Sequence, residues 1–378
     1  MGAGIAQVAL ENGHRVRIVD SEPAALDRAR AGITDGLRRR AAKAGHGDRW
    51  VEQRLALLSA VDDLAGLARA EVVIEAAIED LATKQEIFRA LDRSVAADAI
   101  LATNTSALSV SRIATVTPRP ERVLGLHFFN PAPLMRLVEV ASNPSTDPDV
   151  VDRAIVLVGR WGKTAVRCLD RPGFIVNRVN RPFTLEALRI LRAGGGTIES
   201  IDTAITAAGF PMGPFAFMDL VGLDVNLAAA IALYEALDRP ARLRPSPIQE
   251  ELVEAGTLGR KSGTGFYRYD DGALVGPAEQ FATPTPDDAL AAEEIEERIV
   301  LAIVNEAYRA LGEGVAAPSD IDLAMRLGAN HPIGPIEWAE RMGLTEVAAS
   351  LDALSDEDDD AFRPALALLQ AASGQGCC

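Results

Sequence analysis

The apolar positions change rhythm once along the chain. From the start to about Val166, short β-branched runs ("VRIVD", "EVVIEAA", "AILATN", "RVLGLHFF" and "RLVEVA") alternate with stretches whose apolar residues recur at helical spacing. Strands alternating with helices predict a mostly parallel, doubly wound α/β sheet. After "RPGFIVNR" the strand signals fade, and Ala/Leu-rich helical patterns run to the end, placing a boundary near Pro172. A Pro-rich acidic passage, "YDDGALVGPAEQFATPTPDDA", separates two helical regions and reads as a linker. The expected organisation is a sheet domain over 1–172, a helical domain over 173–270, a linker over 271–294 and a second helical domain over 295–378.

The two helical regions resemble each other. Arg178 falls on Arg298, Asp202 on Asp322, "PMGP" on "PIGP", and Gly222-Leu223 on Gly343-Leu344, with one residue inserted before the second Pro-X-Gly-Pro. This pattern predicts an internal duplication at a spacing of about 120 residues, a pair of like domains rather than a solenoid.

Composition narrows the function classes. The 378 residues are 48% hydrophobic and carry a net charge of −16, so nucleic acid is an unexpected partner for so acidic a chain. No stretch approaches the ~20 uninterrupted apolar residues of a membrane helix, and no charged-then-apolar leader is visible. The cytoplasm is the expected compartment. Three cysteines, Cys168, Cys377 and Cys378, give neither a disulfide framework nor metal-ligand spacing, and no metal is expected. The terminal pair reads as a tail, and the acidic run "SDEDDDAF" as a solvated loop.

The opening "MGAGIAQVAL ENGHRVRIVD" resembles the later part of a dinucleotide-binding βαβ unit. Gly2 stands where the last glycine of a G-x-G-x-x-G turn would lead into a helix whose N-terminus meets a pyrophosphate. Asp20 closes the following strand, where a carboxylate accepts ribose hydroxyls and repels a 2′-phosphate, favouring NAD over NADP. A turn glycine and a helix-capping Asp are the structural alternatives.

The stretch "ATNTSALSV … LGLHFFNPAPLMRLVEV" carries the candidate chemistry. His127 ends an apolar strand, and after the "NPAP" turn the next strand carries Glu139. A carboxylate on one imidazole nitrogen fixes the tautomer and raises the basicity of the other, which makes an acid/base pair; a buried His satisfied by a carboxylate without chemistry is the alternative. Asn104 and Ser106 follow the carboxyl end of a strand, where open α/β sheets place ligands, although the same cluster could simply cap a helix. Arg38, Arg39, Arg40 and Lys43 gather basic charge on one helical stretch, suited either to the phosphates of a large anionic substrate or to an exposed face.

Together, "GLHFFNPAPLMRLVEV", "RPGFIVNR" and "GFPMGPFAFMDLVGLD" resemble the L-3-hydroxyacyl-CoA dehydrogenase family, including its 3-hydroxybutyryl-CoA dehydrogenases, over nearly the whole chain. The resemblance implies a Rossmann-type domain followed by helical domains, and reversible oxidation of a 3-hydroxyacyl-CoA by NAD. It implies that His127 takes the hydroxyl proton, that Glu139 orients His127, and that Ser106 and Asn177 hydrogen-bond the reacting oxygen. It further assigns Asp20, Glu79, Lys84 and Asn104 to the cofactor and Lys43 to coenzyme A, with Arg39 and Arg40 adding to the latter. Another 3-hydroxy acid as substrate, or a non-catalytic relative with impaired NAD binding, are the competing expectations. In the second helical copy Glu297 stands where Asn177 does in the first, so that copy is expected to be structural. It should pack on the first as an internal pseudo-dimer, with a homodimer still open.

Family members begin with a strand running into Gly-x-Gly-x-Met-Gly, so the resemblance expects one further strand and about ten more residues ahead of Gly2. Either translation starts upstream, or this is a short form with weakened NAD binding.

Overall fold

The β-branched runs of the first half are strands because alternate residues meet apolar layers on both faces, whereas the second half has the three- and four-residue spacing of helices packed on helices. The computed structural model describes residues 1–355 and 360–374. It divides into one unit over Met1–Phe174 and another over Ile175–Cys378. The Cys377-Cys378 pair and residues 356–359 of the acidic run lie outside the described residues.

The first unit is α/β, built on two sheets. β1 (Val16–Ile18) pairs in parallel with β2 (Leu58–Ala60). The larger sheet runs in the order β3 (Val72–Glu75), β4 (Ile100–Thr103), β5 (Val123–Phe128), β6 (Leu137–Ser142) and β7 (Thr164–Leu169). All its neighbours are parallel except β5 and β6, which are antiparallel. The reversal follows from the short "FNPAPLMR" connection, which has no room for the helical crossover a parallel pair requires. β2 and β7 were not among the five expected strands. β2 is only three residues long with two of them exposed, and β7 alternates buried with exposed positions.

β4 and β5 are buried along their whole length. Their side chains join those of the helices Gly2–Glu11 and Pro148–Arg160 in one core that includes Ile5, Val8, Leu124, Leu126, Val138 and Val158. Each such side chain contributes roughly 1.5–3 kcal/mol by leaving water. Asp170, just past β7, ties the sheet to the helix Val110–Ala114. Its carboxylate accepts from the Val110 and Ser111 N–H groups at 2.9 and 2.7 Å and from both the Ser109 and Ser111 hydroxyls.

In the second unit the passage from 267 onward departs from the linker expectation. β8 (Tyr267–Asp270) and β9 (Ala273–Pro277) form a hairpin turned at Asp271 and Gly272, both with positive φ. Asp219 accepts the Phe266 and Tyr267 N–H groups at 3.0 and 2.8 Å, binding the hairpin to the helix Pro214–Val221.

Two segments of this unit repeat the same devices. Asp202 accepts the N–H groups of Phe215 and Ala216, and Asp322 those of Ile336 and Glu337. Gly213 and Gly334 leave room for these carboxylates; a Cβ at either position would collide with them. Gly222 and Gly343 turn the chain with nearly the same φ and ψ (98°, 124° and 92°, 118°). Arg178 pairs with Glu306 at 2.8 Å, and reciprocally Arg298 pairs with Glu186 at 2.8 Å. Among the described residues no single helix is long and apolar enough to cross a membrane, and no group of three or more His, Cys, Asp or Glu could hold a metal ion.

Candidate active site

The antiparallel register of β5 and β6 sets His127 directly opposite Glu139. Opposed residues project on the same face, within reach of a side-chain bond. The imidazole Nδ1 lies 2.6 Å from Glu139 Oε2. Glu139 is wholly buried and His127 nearly so. A carboxylate in such a place is tolerated only when paired, so the imidazole is held with Nδ1–H donating to it and Nε2 left outside the pair. The rings of Phe129 and Phe174, centred 4.5 and 5.8 Å from the imidazole, form an apolar wall beside the pair. Phe174 holds this position with φ of 46°, an outlier for a bulky residue that its burial sustains.

Asn104 lies just past β4 and reaches across to β5. Its Oδ1 accepts the N–H of Phe128, the residue after His127, at 2.9 Å. The next loop is gathered by Glu79, whose Oε1 accepts from the Thr105 hydroxyl at 2.6 Å and from the Ser106 and Ala107 N–H groups at 2.9 and 3.1 Å. Burial pushes the Glu79 carboxyl upward, but these donors and the Lys84 charge outweigh it and hold it below its ordinary value. Lys84 is almost completely buried, with Nζ 2.7 Å from Glu75 and 3.4 Å from Glu79. Glu75 also accepts from the Thr103 hydroxyl and the Ala77 N–H. Sequence reasoning did not single out Glu75. Its signal was an acidic residue closing the apolar run "VVIE", the position from which it can tie β3 to β4.

The helix Gly2–Glu11 begins without a side-chain cap, leaving first-turn N–H groups of the kind a pyrophosphate takes up. Asp20 is exposed beyond the end of β1; one oxygen accepts the Glu22 N–H at 3.0 Å, and the carboxylate stays open to solvent. Uncapped N–H donors and a free-standing carboxylate after the next strand fit a dinucleotide. Arg39, Arg40 and Lys43 lie exposed in the last turns of the helix Pro23–Ala44, with Arg40 3.6 Å from Glu11. Thus His127 and Glu139 are brought together, as are Glu79, Lys84 and Ser106, with Asn104 tied to the strand of His127. Asn177 belongs to the second unit, half-buried on the short helix Val176–Val179.

Comparison with known proteins follows the same division. Residues 1–171 match the family model described as 3-hydroxyacyl-CoA dehydrogenase, NAD binding domain, and residues 173–269 and 295–374 match 3-hydroxyacyl-CoA dehydrogenase, C-terminal domain. The chain is 36% identical to 3-hydroxyadipyl-CoA dehydrogenase of Escherichia coli strain K12, over 98% of this chain and 95% of that protein. It is 41% identical to the mitochondrial hydroxyacyl-coenzyme A dehydrogenase of Sus scrofa, over 71% of this chain and 88% of the other. Among solved structures, 3-hydroxybutyryl-CoA dehydrogenase from Escherichia coli K12 superposes with a TM-score of 0.89 at 35% identity, covering 99% of this chain and 97% of that one.

Proposed function

The chain belongs to the 3-hydroxyacyl-CoA dehydrogenase family, NAD-dependent oxidoreductases, and on that premise we propose that it oxidises L-3-hydroxyacyl-CoA esters such as 3-hydroxybutyryl-CoA through the His127–Glu139 pair. The observation that carries this reading is the 2.6 Å contact between Nδ1 and Oε2 of two buried side chains, which leaves Nε2 as the proton acceptor. When bound, NAD would supply the hydride acceptor for the carbon bearing the hydroxyl. The hydroxyl proton must leave as that happens, and Nε2 of His127 takes it. The Glu139 carboxylate stabilises the imidazolium so formed, and the Phe129 and Phe174 rings keep water from competing for the Nδ1 bond.

In this reading Ser106 bonds the reacting oxygen. Glu79 acts through the loop, fixing Ser106 from behind, and the Lys84 charge is set in place by Glu75. The first-turn N–H groups after Gly2 hold the pyrophosphate and Asp20 the adenosine ribose. Lys43, Arg39 and Arg40 meet the phosphates of coenzyme A, for which exposed cations on one helix end are suited.

We read the helical unit as an internal duplication in which the second copy serves as a built-in partner for the first. The repeated Asp202 and Asp322 caps, the reciprocal Arg178–Glu306 and Arg298–Glu186 pairs and the two separate matches to one family model support it.

The test of the activity is loss of NADH absorbance on addition of acetoacetyl-CoA, with free coenzyme A as competitor. Turnover inhibited by coenzyme A supports the reading. Turnover of free 3-oxo acids that coenzyme A leaves untouched would replace it with a dehydrogenase of another 3-hydroxy acid.

A further inference from the structure

β4 and β5 part just before His127. Their parallel pairing runs Leu101 with Val123, Ala102 with Leu124 and Thr103 with Gly125, and ends there. β5 continues through Leu126, His127 and Phe128, and its other edge stays paired with β6 as far as Phe128 opposite Val138. β4 meanwhile turns away. The Asn104 N–H donates to the Glu75 carbonyl on β3 at 2.8 Å, and the Thr105 hydroxyl donates to Glu79 at 2.6 Å. The β4 backbone thus leaves the ladder at the place where β5 carries His127.

A side chain takes over from the strand. Phe128 is buried, and a buried backbone N–H has to find an acceptor. Asn104 Oδ1 supplies it at 2.9 Å. That N–H belongs to the peptide joining His127 to Phe128, so the bond fixes the plane on the carboxyl side of the His127 Cα. Glu139, from the opposite edge of β5, fixes the ring itself through Nδ1. One restraint sets the rotation of the imidazole, and the other sets the backbone from which the imidazole hangs. Asn104 is itself firmly placed, between two fully buried threonines whose hydroxyls are held by Glu75 and Glu79 at 2.7 and 2.6 Å. It also stands two residues before Ser106, so its side chain joins the base of the Ser106 loop to the strand of His127.

We propose that Asn104 is a positioning residue for the proton acceptor: through the Phe128 N–H its Oδ1 fixes the backbone at His127, and with it the place of Nε2 relative to the Ser106 hydroxyl. This, rather than a bond to the cofactor, is its part in the reaction. The inference rests on the reading of His127 as the proton acceptor. Its consequence is that the acceptor oxygen of Asn104 matters to the rate of the chemical step and not to the grip on NAD, since a base displaced by a fraction of a bond length loses its alignment with the hydroxyl while the cofactor site is untouched.

The test is the single-turnover rate of NADH formation from 3-hydroxybutyryl-CoA, expressed per enzyme-bound NAD so that loss of folded protein does not count. Asn104→Leu keeps the branched shape without the acceptor. It should slow the step by about ten- to a hundredfold, with the dissociation constant of NAD within about threefold of wild type. Asn104→Asp keeps an oxygen in the same place and should recover to within about fivefold of wild type. In a His127→Gln background, Asn104→Leu should cost less than about threefold more, because a residue that acts through His127 has nothing left to position. An unchanged rate in Asn104→Leu, with NAD affinity weakened or not, would overturn the inference. So would equal losses in the two backgrounds, or an Asp variant as slow as the Leu variant; all of these leave His127 its role. A wild-type rate in His127→Gln alone would instead overturn the proton-acceptor reading, and this inference with it.

Discussion

Replacing Glu139 with Gln isolates the charge in the His127–Glu139 pair from its geometry. Gln can still accept from the Nδ1–H across the 2.6 Å contact, so the tautomer and ring orientation are retained. What is lost is the attraction between carboxylate and imidazolium. With charge centres about 4 Å apart and an effective dielectric near 20, that attraction is about 4 kcal/mol. The imidazole is neutral before proton transfer and charged after it, so the attraction grows toward the transition state and is absent from the ground state. If between half and all of it is expressed there, kcat falls by roughly 30- to 1,000-fold. KM for the acyl-CoA ester should change little, because Glu139 is completely buried and touches His127 rather than substrate. The assay is steady-state oxidation of 3-hydroxybutyryl-CoA followed by NADH formation, with NADH binding as the check on folding. A kcat within threefold of wild type, or a loss confined to KM, would refute the reasoning.

Two further perturbations probe other parts of the account. Asp20→Ser should raise KM for NADH about tenfold, from loss of a charged hydrogen-bond acceptor, and should narrow the discrimination against NADPH by a similar factor; an unchanged cofactor ratio would remove Asp20 from the ribose site. His331 is buried, donates from Nε2 to Asn180 at 2.8 Å, and is depressed by burial from 6.5 to about 3. The folded state therefore favours the neutral ring, and stability present above pH 6.5 is lost as the pH falls toward 3. Between pH 7 and 5 the loss should be about 2 kcal/mol in wild type relative to His331→Gln, read from denaturant unfolding at each pH; parallel pH curves for the two proteins would contradict it.

How much was legible in the sequence depended on the range of the interaction. The β5 and β6 strands were readable because their apolar runs are long, and the "NPAP" turn between them is short enough to make the pair antiparallel neighbours. Once that is granted, His127 and Glu139 face each other. β2 escaped because a three-residue strand has no period to detect, and the 267–277 hairpin because its Pro-rich, acidic flanks outweighed the Asp271-Gly272 turn signal that was present. Buried charge was the least visible feature. Glu75, Lys84, Arg178 and Arg181 look in sequence like any surface residue, and only the fold shows which are enclosed and which find a partner. The Arg178–Glu306 bond joins residues 128 apart, a distance at which a single sequence offers no signal beyond the repeat itself.

The most direct test of the central claim is the turnover of His127→Gln with 3-hydroxybutyryl-CoA and NAD, set beside its affinity for the acyl-CoA ester. If Nε2 of His127 is the proton acceptor, kcat should fall by about a hundred- to ten-thousandfold while the dissociation constant of the ester stays within a few-fold of wild type. Turnover at the wild-type rate would mean that the buried pair on β5 and β6 is structural and that the proton leaves by another route.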